Sequence, residues 1–238
     1  MSVAAPILLS LRVAALATVI TFAIGLGLAR LFTFRAIPLR RVWESVILLP
    51  MVFPPTITGY LLLLLFGRRG PVGALLAELG IAVIFTWAAA VIASVTVSLP
   101  LMYQSCKAAL FGVDPQLENA ARTLGVREGR VFRRITLPLA LPGILSGTAL
   151  SFARALGEFG ATLMIAGNIP GRTQTVPLAL YSAVEGGHTA EANFLLGATV
   201  GLSFGLVVLM GWLERRGWKA RAGRSLGTGR NPRGRGRP

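Results

Sequence analysis

Apolar runs long enough to cross a lipid bilayer recur along this 238-residue chain and leave little room for a soluble fold. The first, Leu8 to Leu28, is interrupted only by Arg12. It lacks a basic segment ahead of it and runs too far for the core of a signal peptide, so it reads as an uncleaved span. Further runs cover 46–66, 81–103, 139–166 and 194–213. Hydrocarbon offers the backbone no hydrogen bonds, so each run is expected to be a helix. Only 14% of the residues are charged, where soluble domains average about 25%, and the mean hydropathy is +0.68. The fold expected is an all-α integral membrane protein with five transmembrane helices. Residues 1–214 form the membrane domain, and 215–238 form a basic, glycine-rich tail expected to be disordered.

The second run contains Pro50, Pro54 and Pro55. An interior proline costs a helix about 3 kcal/mol, so this span is expected to be kinked or broken near Pro54–Pro55. A functional hinge and a merely bent packing helix both fit. Charge placement gives the orientation. The loop after the first run, the stretch 106–137 and the tail hold nineteen of the 24 basic residues. The positive-inside rule puts all three in the cytoplasm and the amino terminus outside. The net charge of +15 therefore reads as topology, with anionic lipid a second use for the tail, and not as a nucleic-acid surface. One cysteine, Cys106, allows no intrachain disulfide, and the lone His188 has no partners for a zinc site. No phosphate-binding Gly-x4-Gly-Lys-Ser/Thr loop occurs, so no ATPase site is expected here.

The stretch 106–137 is amphipathic and too charged to span. If helical, Leu117, Ala120, Ala121, Leu124, Val131, Phe132 and Ile135 share one face, with Glu128 intruding, while Arg122, Arg127, Arg130, Arg133 and Arg134 fan over the other. Ala120 and Ala121 permit close approach of another backbone, Gly125 permits a sharp bend, and Pro138 opens the next span where a missing N–H costs little. The spacing Ala-Ala-x3-Gly-x9-Ile-x-Leu-Pro resembles the cytoplasmic coupling loop of bacterial ABC importer permeases. The resemblance implies that Glu118, Ala120, Ala121, Gly125, Ile135, Leu137 and Pro138 couple the chain to an ATPase subunit. Asn119 stands where the wider family usually has Glu, with Glu118 one place earlier. The plainer alternative is an amphipathic connector resting on headgroups.

The fourth run carries Arg154 and Glu158 four residues apart. A charge at mid-bilayer costs about 2.5–3.5 kcal/mol, so the two are expected to pair or point inward. On a continuous helix, Thr148, Ser151, Arg154, Glu158 and Thr162 form one polar stripe. It is read either as the wall of a translocation path or gate (Ser151, Arg154, Glu158, Thr162) or as polar glue between packed helices.

The stretch Ala153-Arg154-Ala155-Leu156-Gly157-Glu158-Phe159-Gly160-Ala161-Thr162, with Gly167-Asn168-Ile169-Pro170-Gly171-x-Thr173-Gln174-Thr175-x-Pro177, closely resembles permeases of molybdate and tungstate ABC importers. The resemblance implies the type I importer permease fold in the bacterial inner membrane. It implies a homodimer with two ATP-binding subunits, which use ATP and Mg, and delivery of solute by an extracytoplasmic oxyanion-binding protein; this chain itself holds no cofactor. Sulfate or thiosulfate importer permeases share part of the motif and form the alternative. From a different class, a stand-alone secondary anion transporter would be expected to show internal repeats, and a membrane enzyme would need a catalytic constellation that one His and one Cys do not supply.

Overall fold

Backbone self-sufficiency in lipid is met here by helices alone, among the residues that the computed structural model describes: 4–35 and 37–225, the side chains of 206, 209, 210 and 212–225 excepted. In chain order they are α1 (Ala4–Phe34), α2 (Arg40–Val52), α3 (Pro55–Phe66), α4 (Pro71–Glu78), α5 (Trp87–Phe111), α6 (Pro115–Thr123) and α7 (Glu128–Val131). A π turn, Phe132–Thr136, then leads into α8 (Leu137–Leu156), followed by α9 (Gly160–Ala166), α10 (Val176–Glu185) and α11 (Thr189–Ser225).

The core is α5, which packs along α1 on one side and α8 on the other. Small residues make this possible. Ala14, Ala17, Ala89, Ala90 and Ala93 are fully buried. On α8, Gly143 and Gly147 lie four residues apart against Ala109 and Ser105 of α5; a Cβ at Gly143 would come within 2.8 Å of the Ala109 Cβ, and one at Gly147 would come closer still to Ser105. Such small-xxx-small contacts let membrane helices approach until van der Waals packing and interhelical hydrogen bonds hold them. Hydroxyls add the polar part: Thr21 meets Ser98 at 3.3 Å, and Ser94 donates to the Ala155 carbonyl at 3.4 Å.

Among the described residues, three helical stretches are long and apolar enough to cross a membrane: Ala4–Phe34, Trp87–Phe111 and Glu128–Leu156. A fourth arises if α2 and α3 are taken as one span, bent by 117° at Phe53–Pro54. The break expected at Pro54–Pro55 is therefore present, and it is a corner, not a gentle kink. The fifth expected span, 194–213, falls within α11, whose last residues lie outside those with described side chains.

Several boundaries differ from the sequence expectations. The third helix starts at Trp87, not near Ile81, because Thr86 caps it through its side chain and Phe85 has φ 62°, outside any helix. Cys106–Phe111 belong to α5, so the charged segment between the long helices is shorter than the expected 106–137. The fourth run is not continuous: α8 stops at Leu156 and α9 restarts at Gly160. Helix α11 continues to Ser225, into the stretch expected to be a disordered tail, and 226–238 lie outside the described residues.

Candidate functional site

Two places combine charge with irregular backbone: the bend between α6 and α7, and the break between α8 and α9.

Asp114 caps α6, its side chain accepting from the Gln116 N–H at 2.9 Å, and Pro115 opens the helix. The helix ends in a Schellman turn. The Val126 N–H reaches back to the Ala121 carbonyl at 3.1 Å and the Gly125 N–H to the Arg122 carbonyl at 2.9 Å. This turn requires the left-handed φ of 76° at Gly125. Nothing lies within 4 Å of where a Cβ would stand, so glycine serves conformation there and not clearance.

Arg122 ties the two short helices together. It donates to Glu128 at 2.6 Å, to Asn119 at 2.8 Å and to Glu118 at 3.2 Å. These bonds hold the Glu128 carboxyl below the usual carboxylate range and push the Arg122 guanidinium up. Glu118 is buried and also accepts from the Thr136 hydroxyl, which joins α6 to the π turn. Phe132 anchors the unit to α1: its ring meets Phe34 edge-on with centroids 5.9 Å apart, and the Arg30 guanidinium lies 4.1 Å from its centroid.

The single apolar face expected over this stretch does not form, because the Gly125 bend and the π turn break the helical register. Ala121, Val131 and Phe132 are buried, whereas Leu117 is 48% exposed and Leu124 84% exposed. Ala120 is also exposed. Leu117, Ala120 and Leu124 thus make a small apolar ridge on the outer side of α6. Arg127, Arg130, Arg133 and Arg134 are exposed beside it, and no ion pair forms on them among the described residues. Ile135 and Leu137 are half-buried and Pro138 is exposed at the start of α8.

At the second place, Arg154 pairs with Glu158 at 2.8 Å. The spacing suggested an i,i+4 pair on one helix, yet Glu158 lies beyond the end of α8. Its other oxygen accepts from the Ala161 N–H at 2.8 Å, closing the first turn of α9. A buried carboxylate at a helix start is favoured by the helix dipole. Gly160 sits directly on Pro55, where a Cβ would come within 2.9 Å, and Gly59 lies against Met164 and Ala161. Two helices that restart after a break, α3 and α9, therefore meet near their beginnings. Ser151, Glu158 and Thr162 are buried in the protomer; Arg154 alone of the four reaches out, with a third of its side chain exposed. The Ser151 hydroxyl finds no hydrogen-bond partner among the described residues.

One cluster escaped the sequence reading. Glu44 on α2 accepts from Arg40 at 3.0 Å and from Tyr103 and Lys107 on α5, each at 2.8 Å. The i,i+4 pairs Arg40/Glu44 and Tyr103/Lys107 were visible, but their meeting across some sixty residues was not. Among the described residues no group of three or more His, Cys, Asp or Glu is placed to hold a metal.

Comparison with known proteins covers nearly the whole chain. The sequence model of the family described as binding-protein-dependent transport system inner membrane component matches residues 6–218. The molybdenum transport system permease protein ModB of Escherichia coli K12 is 44% identical over 92% of this chain and 96% of its own length. The sulfate transport system permease protein CysT of Salmonella typhimurium is 32% identical over 87% of this chain and 76% of its own. Among solved structures, a chain of the MetNI methionine ABC transporter, crystallised in inward-facing form, superposes with TM-score 0.69 at 18% identity, covering 89% of this chain and 94% of that one.

Proposed function

The chain belongs to the family of binding-protein-dependent transport system inner membrane components, and on that premise we propose that it is the permease of an ATP-driven importer of molybdate or tungstate. The observation that carries the substrate is the end-to-end likeness to a molybdenum permease, well above that to a sulfate permease.

In this reading the chain spans the inner membrane five times, with α2 and α3 forming one broken span and α11 the last. The amino terminus lies outside and the basic carboxy-terminal segment in the cytoplasm, as positive-inside placement favours. Two copies form the pore. Two ATP-binding subunits, which use ATP and Mg, dock on the cytoplasmic α6–α7 unit, and an extracytoplasmic binding protein delivers the oxyanion.

A dianion entering a cell 100 mV negative inside meets about 4.6 kcal/mol before any concentration gradient, so a motor is required. This chain's part is mechanical. The ridge of Leu117, Ala120 and Leu124 offers apolar contact to the motor and the free arginines offer charge, while Glu118, Ala121, Gly125 and Ile135 hold the unit in shape. Leu137 and Pro138 pass displacement into α8. At the far end of α8, Arg154 faces the path between protomers, and Ser151, Glu158 and Thr162 behind it position that arginine and the α9 turn.

Reconstitution of the chain with its ATPase subunits and binding protein in liposomes tests this directly. ATP-dependent accumulation of molybdate, inhibited by tungstate and little affected by sulfate, is expected. Oxyanion flux through the chain alone without ATP would refute it.

A further inference from the structure

At the end of α1 remote from the α6–α7 unit, two arginines border one open cavity and have no counter-charge among the described residues. Arg12 and Arg30 bracket the uncharged stretch of α1. Eighteen residues at 1.5 Å each separate them by about 27 Å, close to the thickness of a bilayer's hydrocarbon layer. Arg30 lies over Phe132 in the α6–α7 unit, so Arg12 marks the opposite membrane boundary. There it lines a cavity of about 750 Å³ together with Phe85, Trp87, Gly171, Arg172 and Thr173.

Neither Arg12 nor Arg172 makes an ion pair or hydrogen bond through its side chain among the described residues, and no acidic side chain lines the cavity. Both residues are exposed, so each guanidinium is hydrated and open to an incoming anion beside the apolar wall. The walls are fixed. Arg172 sits on a turn closed by its own N–H to the Ile169 carbonyl at 3.1 Å, and the buried Thr173 hydroxyl accepts from the Ile169 N–H and donates to the Gly167 carbonyl, both at 3.1 Å. Phe85 keeps the left-handed φ of 62°, costly for a bulky residue, through its N–H bond to the Ile165 carbonyl at 2.9 Å. Its ring lies on Gly167, where a Cβ would come within 2.9 Å.

We propose that this cavity is a reception site for a tetrahedral oxyanion on the outer face, in which Arg12 and Arg172 hold the anion against the Phe85–Trp87 wall before it passes inward. This rests on the importer reading and adds a station to it. Two planar guanidiniums suit a tetrahedral dianion through paired N–H···O contacts, and the apolar wall strengthens the attraction relative to open water. A phospholipid phosphate presents the same chemistry, so the test separates the two sources.

The complete transporter is placed in nanodiscs of phosphatidylcholine alone, and molybdate is titrated at low salt against the emission of Trp87, isolated as the difference from a W87F variant. A saturable change is expected, weakened about tenfold in R12Q and in R172Q and recovered only in part in R12K, which keeps the charge but not the paired contacts. Uptake at sub-saturating solute should fall by the same factor. Gln variants that titrate like the parent overturn the site. So does a Trp87 signal that responds only to added anionic phospholipid, which would make this a lipid contact. A parent complex that accumulates no molybdate with ATP would refute the importer reading instead, and the Trp87 titration, which needs no transport, would still report on the site.

Discussion

Arg122 grips Glu128 through two nitrogens, Nε to Oε1 at 2.6 Å and Nη2 to Oε2 at 3.3 Å, so the end of α6 and the start of α7 are clasped across the Gly125 bend. Arg122→Ala frees three acceptors at once. It is expected to lower the transport achieved per ATP hydrolysed several-fold without preventing assembly. Parallel measurement of uptake and phosphate release in proteoliposomes checks this, and an unchanged ratio would remove the clasp from the coupling path.

The same pair sets a pH dependence. Arg122 lowers the Glu128 pKa relative to the unfolded chain. A depressed carboxylate stabilises the folded arrangement above its unfolded pKa, and the contribution is lost as pH falls through the folded one. Transport per ATP should therefore be flat over about pH 6–8 on account of this pair and decline only in acid. Glu128→Gln should show a lower ratio at neutral pH and lose that acid decline.

Gly125 needs backbone freedom without needing space. Gly125→Ala is expected to cost about 1–2 kcal/mol, Gly125→Asn less, and Gly125→Pro to dismantle the turn. Thermal unfolding of the assembled transporter should rank them in that order, with coupling lost in the Pro variant before insertion fails.

Leu117 and Leu124 are exposed in the protomer, at 48% and 84%. Replacing both with Ser should shift protomer stability by no more than about 0.5 kcal/mol yet strip the ATPase subunit from the purified complex. Ala121→Trp makes the contrast: it overpacks a buried position and should cost about 1–3 kcal/mol. Loss of stability in the Leu variants, or full retention of the ATPase, would show that the ridge is not a docking face.

Glu158→Ala leaves Arg154 without its partner and the Ala161 N–H without its acceptor. A loss of about 2–3 kcal/mol is expected, below that of a fully buried pair because Arg154 is partly solvated. Glu158→Gln keeps an acceptor for the helix start and should recover part of it. Unfolding curves in detergent distinguish the two, and equal losses would mean that the α9 cap contributes little.

What the sequence disclosed was mostly local chemistry. Adjacent prolines at 54 and 55 remove two consecutive backbone donors, so a kink or break there was legible. So was the Gly125 bend, which depends on one residue's φ. The α8–α9 break was missed because Gly157, Glu158 and Phe159 do not individually stop a helix, and a carboxylate at i+4 from an arginine serves equally well within a helix or just past its end. The apolar face of 117–135 was misread for a related reason: the wheel assumed one helical period across a bend and a π turn, and each shifts the register. The Glu44 knot and the Gly143/Gly147 contact with Ser105 and Ala109 are tertiary facts, and periodicity within one segment carries no information on which neighbour a face meets.

From Glu128 to Leu156 the chain runs as α7, the π turn and α8 with no gap, and it ends two residues short of the carboxylate that starts α9. A thrust received on α7 thus meets no break in the helical backbone until Gly157. On the importer reading proposed above, the helix is a pushrod that carries the stroke to the knuckle at Glu158.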